Sequence, residues 1–528
     1  MEELKIMELE KHIIHNNVMR NLIETQISVD QDFNVSDVKP DIEQMISKKC
    51  NVLLNGVRIS DGRAEVRGTL SFAILYSGNE LASMQGSIDF VENLNADGVD
   101  DNEKAVCDAY VEDLIIRLVN SRKVNVRAII TLKMHCEKYE DVGIPYECNS
   151  NDELQVRMKN VEYAQLCINS TDSLRTRQNF ELPQNKPNIA EIIWDEAEVC
   201  PVAFQMTDEG LKAEMLVTFF VIYRGVDDTI LWHEAQENVT QTLDVSGAAS
   251  DLVCFVSCRP QGSTTQIRPD FDGEDRVFEV EALSELGINA FEEKKQEMIE
   301  DCYIPSKELD IENSEVTLRQ LLTHNNSKCR AQGTIKADTG KMSQICRCGG
   351  KINIEDISYE ENNVEVNGTI DVTVMCLEAG DSGLLYSVNG EIPFHQSVEV
   401  RGLKDFCGTQ NKKTEEVISL RMNAGLERIA ANMSGQDGLD VKAVVALDLI
   451  VFGKHNRSVI SEISSRNIDE KQYMSLPLIT GYIVKEGDDL WSIAKSHHTT
   501  IDAIKACNNL TKEKIVPKDR LILIKSAI

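Results

Sequence analysis

Along most of the first 460 residues, apolar and polar side chains alternate with a period of two. In EVRGTLSFAILY, from Glu65, the alternation puts Val66, Leu70, Phe72 and Ile74 on one face of a strand. Asp61-Gly62 and Asp97-Gly98 punctuate such runs as turns. The longest apolar run, MLVTFFVIY from Met215 to Tyr223, is β-branched or aromatic and strand-sized, and predicts a buried strand. No window reaches the ~18 apolar residues of a membrane span. The main helical signal is Pro40 to Ile46, where a proline opens a segment with Ile42, Met45 and Ile46 at i, i+3, i+4 spacing.

The pattern repeats. KPDIEQMI at Lys39 returns as KPNIAEII at Lys186, 147 residues later. The same ungapped offset carries Phe33 onto Phe180, Phe72 onto Phe219, Tyr76 onto Tyr223 and Gly78 onto Gly225. A third, divergent copy lies 300 residues from the first, where EVRGTL becomes EVNGTI at Glu365. There Gly340 replaces Pro40 and Pro187, and the Lys-Pro-Asp/Asn-Ile corner is expected to be lost. Each copy closes on a strand-like run, beginning at Val124, Arg276 and Leu439. The reading is a mainly β protein with three tandem β-rich domains, 1–155, 156–308 and 309–460, each with one short helix. A polar linker is expected at 461–480, ahead of a small α+β domain at 481–528.

That last segment reads strand, helix, helix, strand. Tyr482-Ile483-Val484 is a strand, and Gly487-Asp488 turns the chain. Asp488 or Asp489 can cap a helix carrying Leu490, Ile493 and Ala494 on one face. Thr499 or Thr500 caps a second helix that ends at Asn508-Asn509, and Leu521 to Ile524 is the closing strand. His497-His498 falls at the end of the first helix, where the dipole favours a protonated imidazole without any ligand.

YIVKEGDDLWSIA, followed by Asn508, Leu510, Ile515, Pro517 and LILI, resembles the LysM domain. The resemblance implies a βααβ fold that, across the family, binds N-acetylglucosamine polymers in a shallow groove. The groove lies between the turn after the first strand and the loop before the last. On that basis the binding residues are Gly487, Asp488, Asp489, Leu490, Trp491, Asn508, Asn509, Leu510, Ile515, Pro517 and Lys518. The family commonly has Ser or Thr at the place of Asp489, and Gly then a polar amide at Lys518 and Asp519, so both departures sit in the groove-lining loops. Leu490 and Ile493 read as core. Asp488, Asp489, Lys518 and the outer part of Trp491 read as surface that touches a sugar or a protein.

Three acidic β-rich repeats before a LysM tail resemble the SPOCS-plus-LysM spore-coat morphogenetic proteins of spore-forming Clostridia. The resemblance implies a non-enzymatic protein of the mother-cell cytoplasm, located at the forespore surface. Its LysM domain would bind the coat-scaffold ATPase SpoIVA, with other coat proteins as further partners. Two alternatives remain open: a peptidoglycan-binding protein of the wall or spore cortex, and a LysM-targeted wall hydrolase.

Charge and cysteines narrow the classes. The net charge of −32 repels phosphate backbones and argues against nucleic acid. It is uneven: residues 481–528 hold eight Lys or Arg against six Asp or Glu, +2, leaving −34 on the rest. No basic-then-apolar leader opens the chain. The odd count of 15 cysteines, widely scattered, reads as reduced thiols. Neither Cys346/Cys348 nor Cys254/Cys258 has the second pair of a zinc site, so no metal and no cofactor are expected. Nucleophile elbows, phosphate loops and dinucleotide fingerprints are missing from the sequence.

Overall fold

The structure is a computed structural model that describes residues 5–97, 99, 103–337, 342–379, 384–410, 417–435 and 438–526. After a short β1 (Lys5–Ile6), the first unit consists of β2 (Glu8–Asn34), β3 (Gln44–Ser60), β4 (Arg63–Ser77), β5 (Leu81–Asn95), β6 (Lys104–Asn120) and β7 (Lys123–Asn149). The second has β8 (Gln155–Glu181), β9 (Ile189–Thr207), β10 (Gly210–Gly225), β11 (Ile230–Leu243), β12 (Val253–Pro269) and β13 (Asp275–Tyr303). The third has β14 (Lys307–Lys336), β15 (Met342–Glu360), β16 (Asn363–Glu378), β17 (Leu385–Glu399), α1 (Leu403–Gln410), β18 (Ile418–Ser434) and β19 (Gly438–Asn467). Every unit has one topology: its last strand is central between its first and fifth, and its second, third and fourth strands form a separate antiparallel sheet. The three closing runs seen in the sequence are those central strands.

Alternation decides which side chains fill each unit. Val66, Leu70, Phe72 and Ile74 are all buried, facing Val124, Val126, Ala128 and Ile130 of β7 within one core. Phe33 meets Phe72 at 4.7 Å, and the equivalent Phe180 meets Phe219 at 5.1 Å. The glycine of the EVxGT signature makes room for an aromatic ring. A Cβ on Gly68 would lie 2.4 Å from Phe90, and one on Gly368 2.7 Å from Phe394, each the ring paired with it across the sheet. The second unit replaces both partners at once, pairing Met215 with Val239.

The helix expected at Pro40–Ile46 does not form. The chain turns a corner there and enters β3 at Gln44. Neighbours from outside the segment take its backbone groups: Ile42 N–H donates to Ser121 and Glu43 N–H to Ser77. Ile42 and Ile46 are buried while Met45 is exposed, and the two isoleucines serve different cores: Ile42, before the strand, that of its own unit, and Ile46, on β3, one shared between units. The corner is clamped the same way in both units that have it. Arg122 donates to the carbonyls of Val35, Ser36 and Lys39 and to Asp41. Arg276 donates to those of Leu182, Pro183 and Lys186 and to Asn188. The third unit has no arginine between Ser434 and Leu439, and its Gly340 lies outside the described residues.

Strands of 27 to 30 residues outrun their own sandwiches, and the protruding hairpins meet. Ile14, Val142 and Ile144 of the first unit, Val161, Tyr163 and Met298 of the second, and Leu318 and Val459 of the third form one shared core. A second joint core takes equivalent residues at the offsets 147 and 300: Ile46, Ile193 and Cys346, and Leu75, Ile222 and Met375. The run Met215–Tyr223 is apolar at every position but Thr218 because β10 buries one face in its own unit and the other, with Phe220 and Ile222, in this joint core. The units thus pack as a pseudo-threefold ring, leaving a cavity of about 980 Å³ lined by their equivalent strands.

Charged pairs fix each joint. Arg259 pairs with Asp108 between units one and two, and Arg347 with Glu196 and Glu234 between two and three. Arg421 and Glu137, at 3.1 Å, join three to one. Burial pushes the Glu137 carboxyl up, but hydrogen bonds from His135 and Tyr139 and the charge of Arg421 outweigh it and hold the group at about 2.

Residues 461–467, expected as linker, continue β19 in register with β14, and Ser464 and Ser465 also pair with β1. Polar side chains misled there because only Ile463 and Ser465 of that stretch are buried, and one of the two is a serine. Among the described residues no helix is long and apolar enough to cross a membrane, and no group of three or more His, Cys, Asp or Glu could hold a metal ion. None of the fifteen cysteines is bonded to another. Burial pushes the thiols of Cys346 and Cys348 up to about 12, so both stay protonated.

Candidate functional site

After α2 (Glu470–Ser475), the C-terminal domain runs β20 (Ile479–Ile483), α3 (Leu490–Ser496), α4 (Ile501–Asn508) and β21 (Arg520–Ile524). Its core is Val484, Leu490, Ile493, Ala494, Ile504, Leu521 and Leu523. Asp489 is the N-cap of α3, accepting from the Ser492 N–H at 2.7 Å, and Thr500 caps α4 through the Ala503 N–H. Asn509 ends α4 in the left-handed region at φ 52°. His497 caps α3, its ring edge-on to Tyr482, and His498 meets the Tyr473 ring in the same way.

Two loops meet beside β20. Val484 N–H donates to Asp519 and Lys518 N–H to Val484, which ties residues 485–489 to residues 509–519. The Asp488 carboxylate braces the first loop, accepting from the Lys485 N–H and the Tyr482 hydroxyl, both at 2.8 Å; these bonds hold its pKa below the ordinary value. In the second, Val516 to Asp519 form a tight turn closed by a 3.1 Å bond, with Pro517 next and Lys518 at φ +80°. That geometry is a type II turn, whose third position suits glycine. Lysine is held there under backbone strain, with its side chain exposed.

The residues singled out from sequence therefore separate. Gly487, Pro517 and Lys518 are exposed around the paired loops, with Asp488, Ile515 and Leu510 half-buried behind them. Leu490 is core. Asn508 spends its amide on the N–H and C=O of Ile522, both bonds under 3 Å, and so seals the edge of β21. Asn509 is an exposed helix end. Asp489 and Trp491 turn toward the ring of repeats. The Trp491 indole N–H donates to Asp301 at 2.8 Å, its ring meets Tyr303 edge-on at 4.9 Å, and Arg157 reaches Asp489 at 3.4 Å.

Two features escaped sequence reasoning. The hairpin of β20 and β21 packs through one face only, which leaves Ile479, Ile483, Ile522 and Ile524 exposed on the other. The unbroken apolar LILI was the available signal, since a strand covered on one side should alternate. The contact with Asp301 and Tyr303 joins residues 190 apart, and no local pattern announces it.

Comparison with known proteins gives these segments names. The family model described as "SipL, SPOCS domain" matches residues 41–119 and 341–423, in the first and third units, and the LysM domain model matches residues 482–523. The second unit, which lacks the glycine–phenylalanine pair, is unmatched by the SPOCS model. Over 39 residues, 7% of this chain, the protein is 59% identical to "Probable endopeptidase p60" of Listeria monocytogenes serovar 1/2a, covering 8% of that protein. The protein of the same name from Listeria welshimeri is 56% identical over 39 residues, 7% of each chain. The chain spans less than a tenth of the length of these curated relatives. No solved structure matches it.

Proposed function

We propose, from its make-up as a protein that combines SPOCS segments with a C-terminal LysM domain, that this chain is a non-enzymatic spore-coat morphogenetic protein. Its LysM domain would bind a coat-scaffold protein, the SpoIVA-like ATPase of the related systems, in the mother-cell cytoplasm and so localise coat assembly at the forespore surface. The matched segments are SPOCS and LysM domains, which are binding domains.

The observation that carries the reading is the outer surface of the LysM domain. An isoleucine face on β20–β21 lies beside a loop that presents Lys518 from a strained turn. Exposed apolar surface with a polar rim suits a protein partner better than a hydroxyl-rich sugar. The +2 charge of residues 481–528 fits an acidic partner. Gly487, Asp488, Ile515, Pro517 and Lys518 would form the rim of that surface. The LysM match itself favours a second reading, adhesion to peptidoglycan.

Two measurements on the full chain separate them. Co-purification of a coat-scaffold protein from sporulating cells, weakened by Lys518→Glu, supports the first. Saturable retention on insoluble peptidoglycan, with no protein captured, supports the second and defeats the first.

A further inference from the structure

The end of β13 is built to receive the LysM domain. Asp301, Cys302 and Tyr303 continue the strand, so their side chains alternate. Cys302 points into the hub with Met7, Ile299 and Ile463, while Asp301 and Tyr303 point the other way. A register shift between Ile299 and Asp301 sets this aim. Asp301 takes the Trp491 indole N–H on one carboxylate oxygen and the Lys495 ammonium on the other, at 2.8 and 2.7 Å. Tyr303 lays its ring against Trp491 and donates its hydroxyl to the Thr499 carbonyl at 3.0 Å. The other two arms end in equivalent strands with different residues: Glu147-Cys148-Asn149 in the first unit and Ser464-Ser465-Arg466 in the third. Only the second arm combines a carboxylate with an aromatic ring two residues on.

The geometry points to Asp301-Cys302-Tyr303 as an internal ligand. The LysM face around Trp491 and Lys495 recognises an extended acidic segment of the form Asp/Glu-x-Tyr, and the second repeat fills that face until a partner segment of the same chemistry displaces it. The inference rests on the LysM domain being a protein-binding module. It adds a second surface, distinct from the isoleucine face and the Lys518 loop, and states what that surface takes.

The test uses a fluorescein-labelled peptide with the sequence of residues 297–307, Cys302 replaced by Ser, titrated into the full chain by anisotropy. Wild type, with its face filled in cis, should bind weakly. Asp301→Ala should bind at least about tenfold more tightly, in keeping with the loss of a charged hydrogen-bonded contact. Adding Lys495→Glu, an exposed position outside the core, should return binding to the wild-type level or below. Circular dichroism establishes that each variant is folded. Equal affinity for wild type and Asp301→Ala, no binding to Asp301→Ala, or indifference to Lys495→Glu would each overturn the internal-ligand assignment. Capture of a coat-scaffold protein by the wild-type chain is scored separately. If capture persists while the peptide result fails, only the latch is wrong. If the peptide behaves as stated while capture fails, the assignment of function is wrong.

Discussion

Replacing Glu137 with Gln should loosen the joint between the first and third units by an amount the structure specifies. Glu137 is buried, 6% exposed, against Arg421, whose side chain is only 11% exposed. The substituted amide would keep the size and much of the hydrogen bonding to Tyr139, so the change isolates the charge. A carboxyl held at about 2 instead of its ordinary 4.5 corresponds to about 3 kcal/mol. Because the folded pKa is depressed, this stabilisation is complete above pH 4.5 and disappears as the pH falls through about 2. The loss is aggravated by Arg319, which burial and the neighbouring Arg421 push down to about 10 and which Glu137 helps to keep charged. Urea denaturation followed by far-ultraviolet circular dichroism, repeated from pH 7 to pH 2.5, reads both numbers. Wild type should exceed Glu137→Gln by about 3 kcal/mol at pH 7, with the gap shrinking below pH 4.5. A difference under about 1 kcal/mol at pH 7, or one that stays constant with pH, would refute the electrostatic account of the joint.

Other expectations concern the repeat signature and the LysM turn. Gly368→Ala would set a Cβ against Phe394 and the Asn353 carbonyl, and should cost about 1–3 kcal/mol in urea denaturation. Arg276→Ala removes a donor from the Leu182, Pro183 and Lys186 carbonyls, of which Pro183 keeps the Lys186 N–H, and should cost about 2–3 kcal/mol, measured the same way. Lys518→Gly should relieve the turn at φ +80° and raise LysM stability by about 1 kcal/mol while lowering partner capture, whereas Lys518→Glu should lower capture without that gain.

Period and repeat were legible because they are local or self-comparing. Alternation in Glu65–Tyr76 gave the strand and its inner face, and the offsets of 147 and 300 gave three units with the same strand order. The LysM elements followed from caps and turns; of the alternatives the sequence left open, Thr500 rather than Thr499 caps α4, and Asn509 is its C-cap. Ile42-Met45-Ile46 misled because helical spacing arose by coincidence where the chain turns a corner into a strand: Ile42 and Ile46 are buried in different cores, and Met45 is exposed. The way the arms interlock was beyond reach. Ile14, Val161 and Leu318 look like ordinary inward residues, and nothing in a single strand says that their neighbours come from three different units. The same holds at the LysM domain, where Trp491 reads in the sequence as partly exposed surface for a sugar or a protein, whereas the structure buries it against Asp301 and Tyr303 of β13.

The central claim is that the C-terminal domain grips a protein. Affinity purification of the tagged chain from sporulating cells, with and without residues 481–528, tests it most directly. The full chain should bring down a coat-scaffold protein in near-stoichiometric amount, and the truncated chain should not. Equal recovery by both chains, or recovery of cell-wall glycan in place of any protein, would contradict it.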